Sequence, residues 1–297
     1  MFSALPCASV ADSIYVTGPN VERRWQEVVA RPEENIDLPE AALLIAAGEY
    51  RGLDIPHYLR RIDDMADALK QRLRRDVSTT ETIIALNHYL YEELGFSGNS
   101  GDYYDPRNSF LNEVLDRRLG IPITLSVIYL EVGQRLGLAL RGISFPGHFL
   151  VKCPLRDGAV ILDPYARGAS LGMDELRQRL RAVRSGAPDV REDEVRRMLA
   201  AAGKKEILAR VLRNLKSIYQ QKRDPARALS ASTRIIALDP KRAEEYRDRG
   251  AIYHELECFR AALADYRQYL ALLPRARDAE AVKGIVAKLQ PLAARLN

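Results

Sequence analysis

The stretch FPGHFLVKC, residues 145 to 153, puts a histidine and a cysteine on one short apolar run, and VILDPY follows with an aspartate in an apolar setting. Thiol, imidazole and carboxylate are the parts of a nucleophilic acyl-transfer site: the imidazole takes the thiol's proton and the carboxylate orients the imidazole. Residues 139–145, 147–153 and 159–164 read as short strands, the last two joined by the turn PLRDG. Side chains an odd number of residues apart on a strand face opposite ways, so His148 and Cys153, five apart, are expected not to meet. Asp163 lies on the returning strand, and a hairpin turning at 155–158 brings it near the level of His148. The expected pair is His148 with Asp163, and Cys153 is not the expected nucleophile.

The elements that position these residues come earlier. In LGIPITLSVIYLEVGQRLGL, Pro122 follows Gly120 at a first helical position and the helix closes at Gly137. Upstream, 21–31, 39–49 and 55–75 read as helices, and STTETIIALNHYLYEELG opens with a capping box, Ser78 to Glu81, and stops at Gly95. The loop SGNSGDYYDPRN leads to a helix over 109–118. Helices, one long buried helix and an antiparallel meander make an α+β arrangement.

Shifted on itself by 34 residues, the C-terminal part aligns Tyr219 with Tyr253, Ala228 with Ala262 and Pro240 with Pro274. That is the tetratricopeptide period. Each unit is two antiparallel helices: Ala228 or Ala262 lets them approach, Tyr219 or Tyr253 fills the groove, Gly250 is among the second unit's small and large positions, and the proline ends the second helix. Two units need caps. A final amphipathic helix over 277–297 supplies one, and helical content around 172–203 is expected to close the other side.

The net charge of +5 is unevenly spread: from Lys204 onward 20 Lys and Arg face 11 Asp and Glu, while the first 203 residues carry 25 against 29. Nucleic-acid binding through the basic half is an alternative, but its charges sit at helical spacing among acids without interleaved aromatics, as on a solvated helical face. Cys7, Cys153 and Cys258 are scattered, as are the four histidines, so neither a disulfide framework nor a zinc site is expected, and no cofactor. The apolar run 121–140 is interrupted by Glu131, Gln134 and Arg135 and is too polar for a membrane span. No signal peptide is read at the N-terminus, and a cytoplasmic location is expected.

The words AALLIAAGEY, DPRNSFLNEVLDRRLGIPITLSVIYLEVGQRLGL, GISFPGHFLVK and ILDPY resemble the bacterial SirB family, which joins a transglutaminase-like domain to tetratricopeptide repeats; the likeness spans 21–290. It implies a papain/transglutaminase-like core, in which Gly-x-Cys opens a long helix, a histidine follows on a strand and Asp-Pro closes the next. Here the nucleophile position is Pro122, with His148 and Asp163 as the rest of a remnant site. Proline has neither an attacking atom nor an N–H to hold an oxyanion. Thr124 is rotated about 200° away on the helix and Ser126 lies a turn deeper, so neither is expected to substitute.

The expected organisation is an N-terminal extension (1–20), a helical region plus core (21–170), a connection (171–203) and two repeats with a capping helix (204–297). The expected function is a non-catalytic, pseudoenzyme-like interaction or regulatory protein that takes a protein or peptide partner through 204–297 or the cleft near His148. Asn108, Ser109, Asn112 and Glu113 are expected on one helical face of that cleft, although Asn108 or Ser109 also suits an N-cap. A hydrolase or amide-processing enzyme using His148 and Asp163 is the alternative. A hydrogen-bonded pair that only fixes two strands is the plainer reading of those two residues.

Overall fold

Short polar residues and prolines open much of the helical structure. Asp37, Asp54 and Asp224 each accept the main-chain N–H three residues on, and proline follows within the first helical positions, where its missing N–H costs no hydrogen bond. In the computed structural model, which describes residues 19–184 and 190–295, the chain divides into two compact units, 31–207 and the remainder on either side. Cys7 and most of the expected extension at 1–20 lie outside the described residues. Among the described residues, no helix is long and apolar enough to cross a membrane.

The first helix, α1 (Pro19–Val29), belongs to the unit that carries the repeats. In the 31–207 unit, α2 (Leu38–Ala46) is buried throughout and α3 (Ile55–Lys70) is amphipathic. The expected capping box is present: Ser78 Oγ accepts the Glu81 N–H, and Glu81 accepts the Ser78 N–H. It starts α4 (Thr79–Asn87), which continues as a π-helical turn, His88–Glu93, and ends at Gly95 with a φ of 75°. Next come β1 (Ser97–Gly98), a 3-10 turn (Pro106–Ser109), α5 (Leu111–Arg117), β2 (Leu119–Gly120) and α6 (Pro122–Arg135). Strands β1 and β2 pair in parallel, Gly98 opposite Gly120.

The meander is a four-stranded antiparallel sheet in sequence order: β3 (Arg141–Ile143), β4 (Leu150–Leu155), β5 (Gly158–Asp163) and β6 (Ala169–Ser170). The first expected strand, 139–145, shortens to 141–143, the second, 147–153, moves to 150–155, and the third, 159–164, moves by one residue to 158–163. His148 is not on a strand: Pro146 and Gly147, with φ of 70°, form a turn closed by His148 N–H to Phe145 C=O at 3.0 Å.

Residues 171–203, read from sequence as a connection, supply α7 (Met173–Val183) and α8 (Glu192–Met198); 185–189 lie outside the described residues. Leu176, Leu180 and Val195 pack on Ile143, Phe145, Leu150 and Ile161 of the sheet region. The sheet's apolar face needs a second layer, and these helices provide it.

The other unit contains the tail of α9 (Lys204–Gln221), then α10 (Pro225–Leu238), α11 (Ala243–Glu255), α12 (Phe259–Leu272) and α13 (Ala279–Arg295). Ala228 and Ala262 are fully buried, Tyr219 is buried, and Pro240 and Pro274 follow the ends of α10 and α12. A Cβ added at Gly250 would stand 3.2 Å from the Tyr266 ring, which explains the small residue there. Tyr253 packs against the core formed by Ala262, Tyr266 and Tyr269. Helix α1 packs on α10 here: Trp25 is fully buried, the Arg234 guanidinium lies 5.4 Å from its ring, and Arg234 reaches Glu22 at 3.3 Å.

Candidate functional site

The β4–β5 hairpin sets the level of the two candidate residues. Val151 pairs with Leu162, so Asp163 starts its turn beside the residues just before β4. His148 Nε2 lies 3.4 Å from Asp163 Oδ2. Asp163 is 1% exposed and heavily committed. Its Oδ1 accepts the N–H groups of Tyr165 and Ala166 at 3.0 and 3.2 Å, and its Oδ2 accepts from Arg179 of α7 at 2.7 Å. On the other side of the imidazole, Nδ1 accepts the Phe149 N–H at 3.0 Å. Nδ1 also lies 3.3 Å from the Phe149 C=O, so both ring nitrogens face protein groups, Nδ1 the Phe149 main chain and Nε2 Asp163.

At the start of α6, Ile121 is extended and Pro122 is the first helical residue. Both nearby hydroxyls are buried and engaged. Thr124 Oγ1 accepts the Ile121 N–H at 3.2 Å and donates to Asn108 C=O at 2.7 Å; Ser126 Oγ faces Phe149 C=O at 3.5 Å. Thr124 therefore serves as the helix cap, and Ser126 sits between the helix and the sheet.

Two residues that carry this geometry were not singled out from sequence. The Tyr165 ring meets the His148 ring edge-on, with centroids 5.9 Å apart. The same ring lies over Gly98, where an added Cβ would come within 2.4 Å of it. Gly98 pairs with Gly120, two residues before Pro122, so Tyr165 spans from the imidazole to the strand pair leading into α6. Burial and the Asp163 charge push its phenol pKa up. Arg179 is the second residue. Its only sequence signal is helical amphipathicity in a stretch read as a connection, and its pairing with Asp163, 16 residues away, is set by how α7 packs.

The four polar residues expected on one helical face do not share a helix. Asn108 and Ser109 belong to the 3-10 turn, Phe110 is extended, and α5 starts only at Leu111, which places Asn112 and Glu113 in a different register. The break comes from Asp105 and Pro106, which start the 3-10 turn, and from Asn108, which ties the preceding loop. Asn108 accepts from Asn99 at 3.0 Å and donates to Asp102 C=O at 2.7 Å. Glu113 hydrogen-bonds Tyr50, whose hydroxyl pKa is pushed up by burial and by that carboxylate. Ser109 Oγ and Asn112 Oδ1 are buried without a hydrogen-bond partner among the described residues.

Cys153 is fully buried on β4, and its sulfur lies 3.7 Å from Pro154 C=O. Burial pushes the thiol pKa up, away from the thiolate form a nucleophile needs. Strand parity does not separate it from His148, because His148 precedes the strand. The advance of β4 from Leu150 to Cys153, about 10 Å, does so instead.

Residues 56–213 match the family model described as Transglutaminase-like superfamily, and 215–287 match Tetratricopeptide repeat. A UPF0162 protein of Xylella fastidiosa is 41% identical over 88% of this chain and 92% of its own length. A UPF0162 protein of Pseudomonas aeruginosa is 31% identical over 78% of this chain and 83% of its own length. Protein SirB1 of Salmonella typhimurium is 26% identical, covering 81% of this chain and 88% of its own length.

Proposed function

The chain belongs to the transglutaminase-like superfamily, carries tetratricopeptide repeats and is related to UPF0162 and SirB1 proteins, and on that premise we propose that it is a non-catalytic interaction or regulatory module. In this reading the acyl-transfer cleft is kept as a shape and no longer acts, and the repeats hold a protein or peptide partner, as such repeats generally do.

One observation carries the reading. The first helical position of α6 is Pro122, while the two nitrogens of His148 face Phe149 N–H and Asp163. An acyl-transfer site needs an attacking atom, an open base nitrogen and donors for the oxyanion. Proline removes the first and one of the third, and the Phe149 N–H occupies the second. Arg179 further ties the carboxylate that would orient an imidazolium. A cytoplasmic location is part of the proposal, consistent with cysteines that are few and scattered.

The test is a panel of esters, amides and glutamine peptides, incubated with the purified full chain and with His148→Ala. No turnover by either protein is the expected result. Turnover by the parent that is lost in His148→Ala would overturn the proposal.

A further inference from the structure

Helix α6 is buried from Pro122 to Gly133, and Glu131 is the only charged residue in that run. It lies nine residues from Pro122, about 14 Å along the helix axis, and so belongs to a different place in the unit from His148. A carboxylate taken out of water there is costly unless it is paired. The pairing is one-sided. Oε2 accepts from Arg135 at 2.6 Å, while Oε1 makes no hydrogen bond among the described residues.

Glu131, 8% exposed, lines a cavity of about 380 Å³. One wall is apolar, formed by Leu38, Leu140 and Ile207. The polar side is rich in acceptors. Gln134 spends its amide N–H on Leu140 C=O at 3.1 Å, which leaves its side-chain oxygen as an acceptor. The C-terminal turn of α6 adds the negative end of its backbone dipoles. Of the charged lining residues, three are carboxylates, Glu33, Glu34 and Glu131, and two are cations, Arg141 and Lys204. The Lys204 ammonium is spent on the wall itself, donating to Glu34 and Ile36 C=O at 3.0 and 2.7 Å.

We propose that this cavity binds a small organic amine, with its apolar body against Leu38, Leu140 and Ile207 and its ammonium donating to Glu131 Oε1 and the Gln134 side-chain oxygen. The proposal is independent of the reading of the His148 site.

Burial pushes the Glu131 carboxyl up, and Asp37 adds to that, while Arg135 and Lys204 pull it down. A bound ammonium favours the charged carboxylate. Binding therefore strengthens as pH rises through the folded Glu131 value.

The probe is phenethylamine, titrated into the full chain by calorimetry, with phenylpropionate as the counterpart of opposite charge. Binding of the amine with a Kd of about 1 mM or below, and none of the acid, is expected. Glu131→Gln should weaken the amine by at least about tenfold. Gln134→Trp, at an exposed position, should fill the cavity and block it without touching the carboxylate. Absence of amine binding at about 10 mM overturns the proposal. So does equal binding of the acid, or amine binding undiminished in Gln134→Trp.

Discussion

Asp163 Oδ2 accepts from Arg179 at 2.7 Å and stands 3.4 Å from His148 Nε2, so the carboxylate gives its shorter contact to the arginine. A catalytic aspartate orients its histidine and has few other demands on it. Here two main-chain N–H groups and a guanidinium already satisfy Asp163, and His148 is an additional neighbour.

It follows that Asp163 matters more to stability than His148 does. Asp163→Ala should cost about 3–5 kcal/mol, because it leaves the Arg179 charge and two turn N–H groups without their acceptor. His148→Ala should cost about 1 kcal/mol or less. Urea unfolding of the two variants checks the order; equal losses would mean that the imidazole is the principal partner.

Tyr165 should hold His148 in place through Gly98. Gly98→Ala drives a Cβ into the ring at 2.4 Å, so the ring must move off the imidazole. The rate at which diethyl pyrocarbonate modifies His148 should rise in Gly98→Ala. The same substitution in a Tyr165→Ala background should have little further effect, a coupling of about 1 kcal/mol or more in a stability cycle.

Cys153 should be inert. With Cys7 replaced by serine, the native chain should react slowly with Ellman's reagent across pH 7–9 and fully only after unfolding, since Cys153 and Cys258 are both buried and burial raises the Cys153 thiol. Rapid labelling of Cys153 in the folded protein would contradict its assigned place in the core.

The repeat unit should show an acid limb set by Asp278. Hydrogen bonds from Tyr269 and Arg247 hold its carboxyl below 3.8. A carboxyl depressed in the folded state contributes stability that is present above its unfolded value and lost as pH falls through the folded one. The urea midpoint of the parent should therefore fall more steeply below about pH 4 than that of Asp278→Asn, and matching acid limbs would rule the residue out.

Much of this fold was legible locally. The 34-residue recurrence of Tyr219, Ala228 and Pro240, the Ser78–Glu81 capping box and the proline opening α6 are signals within one or two elements, where backbone geometry alone relates spacing to structure. The pairing of His148 with Asp163 followed from hairpin level. The Pro146–Gly147 turn was also written in the sequence, but the apolar run around it reads as a strand, and a left-handed glycine outweighs that pattern.

What the sequence determined by itself was therefore the kinds of element, the repeat, and a proline, Pro122, at the first position of α6. Tertiary structure alone decided that Arg179 takes Asp163, that Tyr165 bridges Gly98 and His148, that α1 packs on α10, and that 108–113 split between two helical registers. The physical reason is distance along the chain. Periodicity reports which face of an element is apolar, but not which distant face covers it, and a buried charge takes whichever partner that packing brings within about 3 Å.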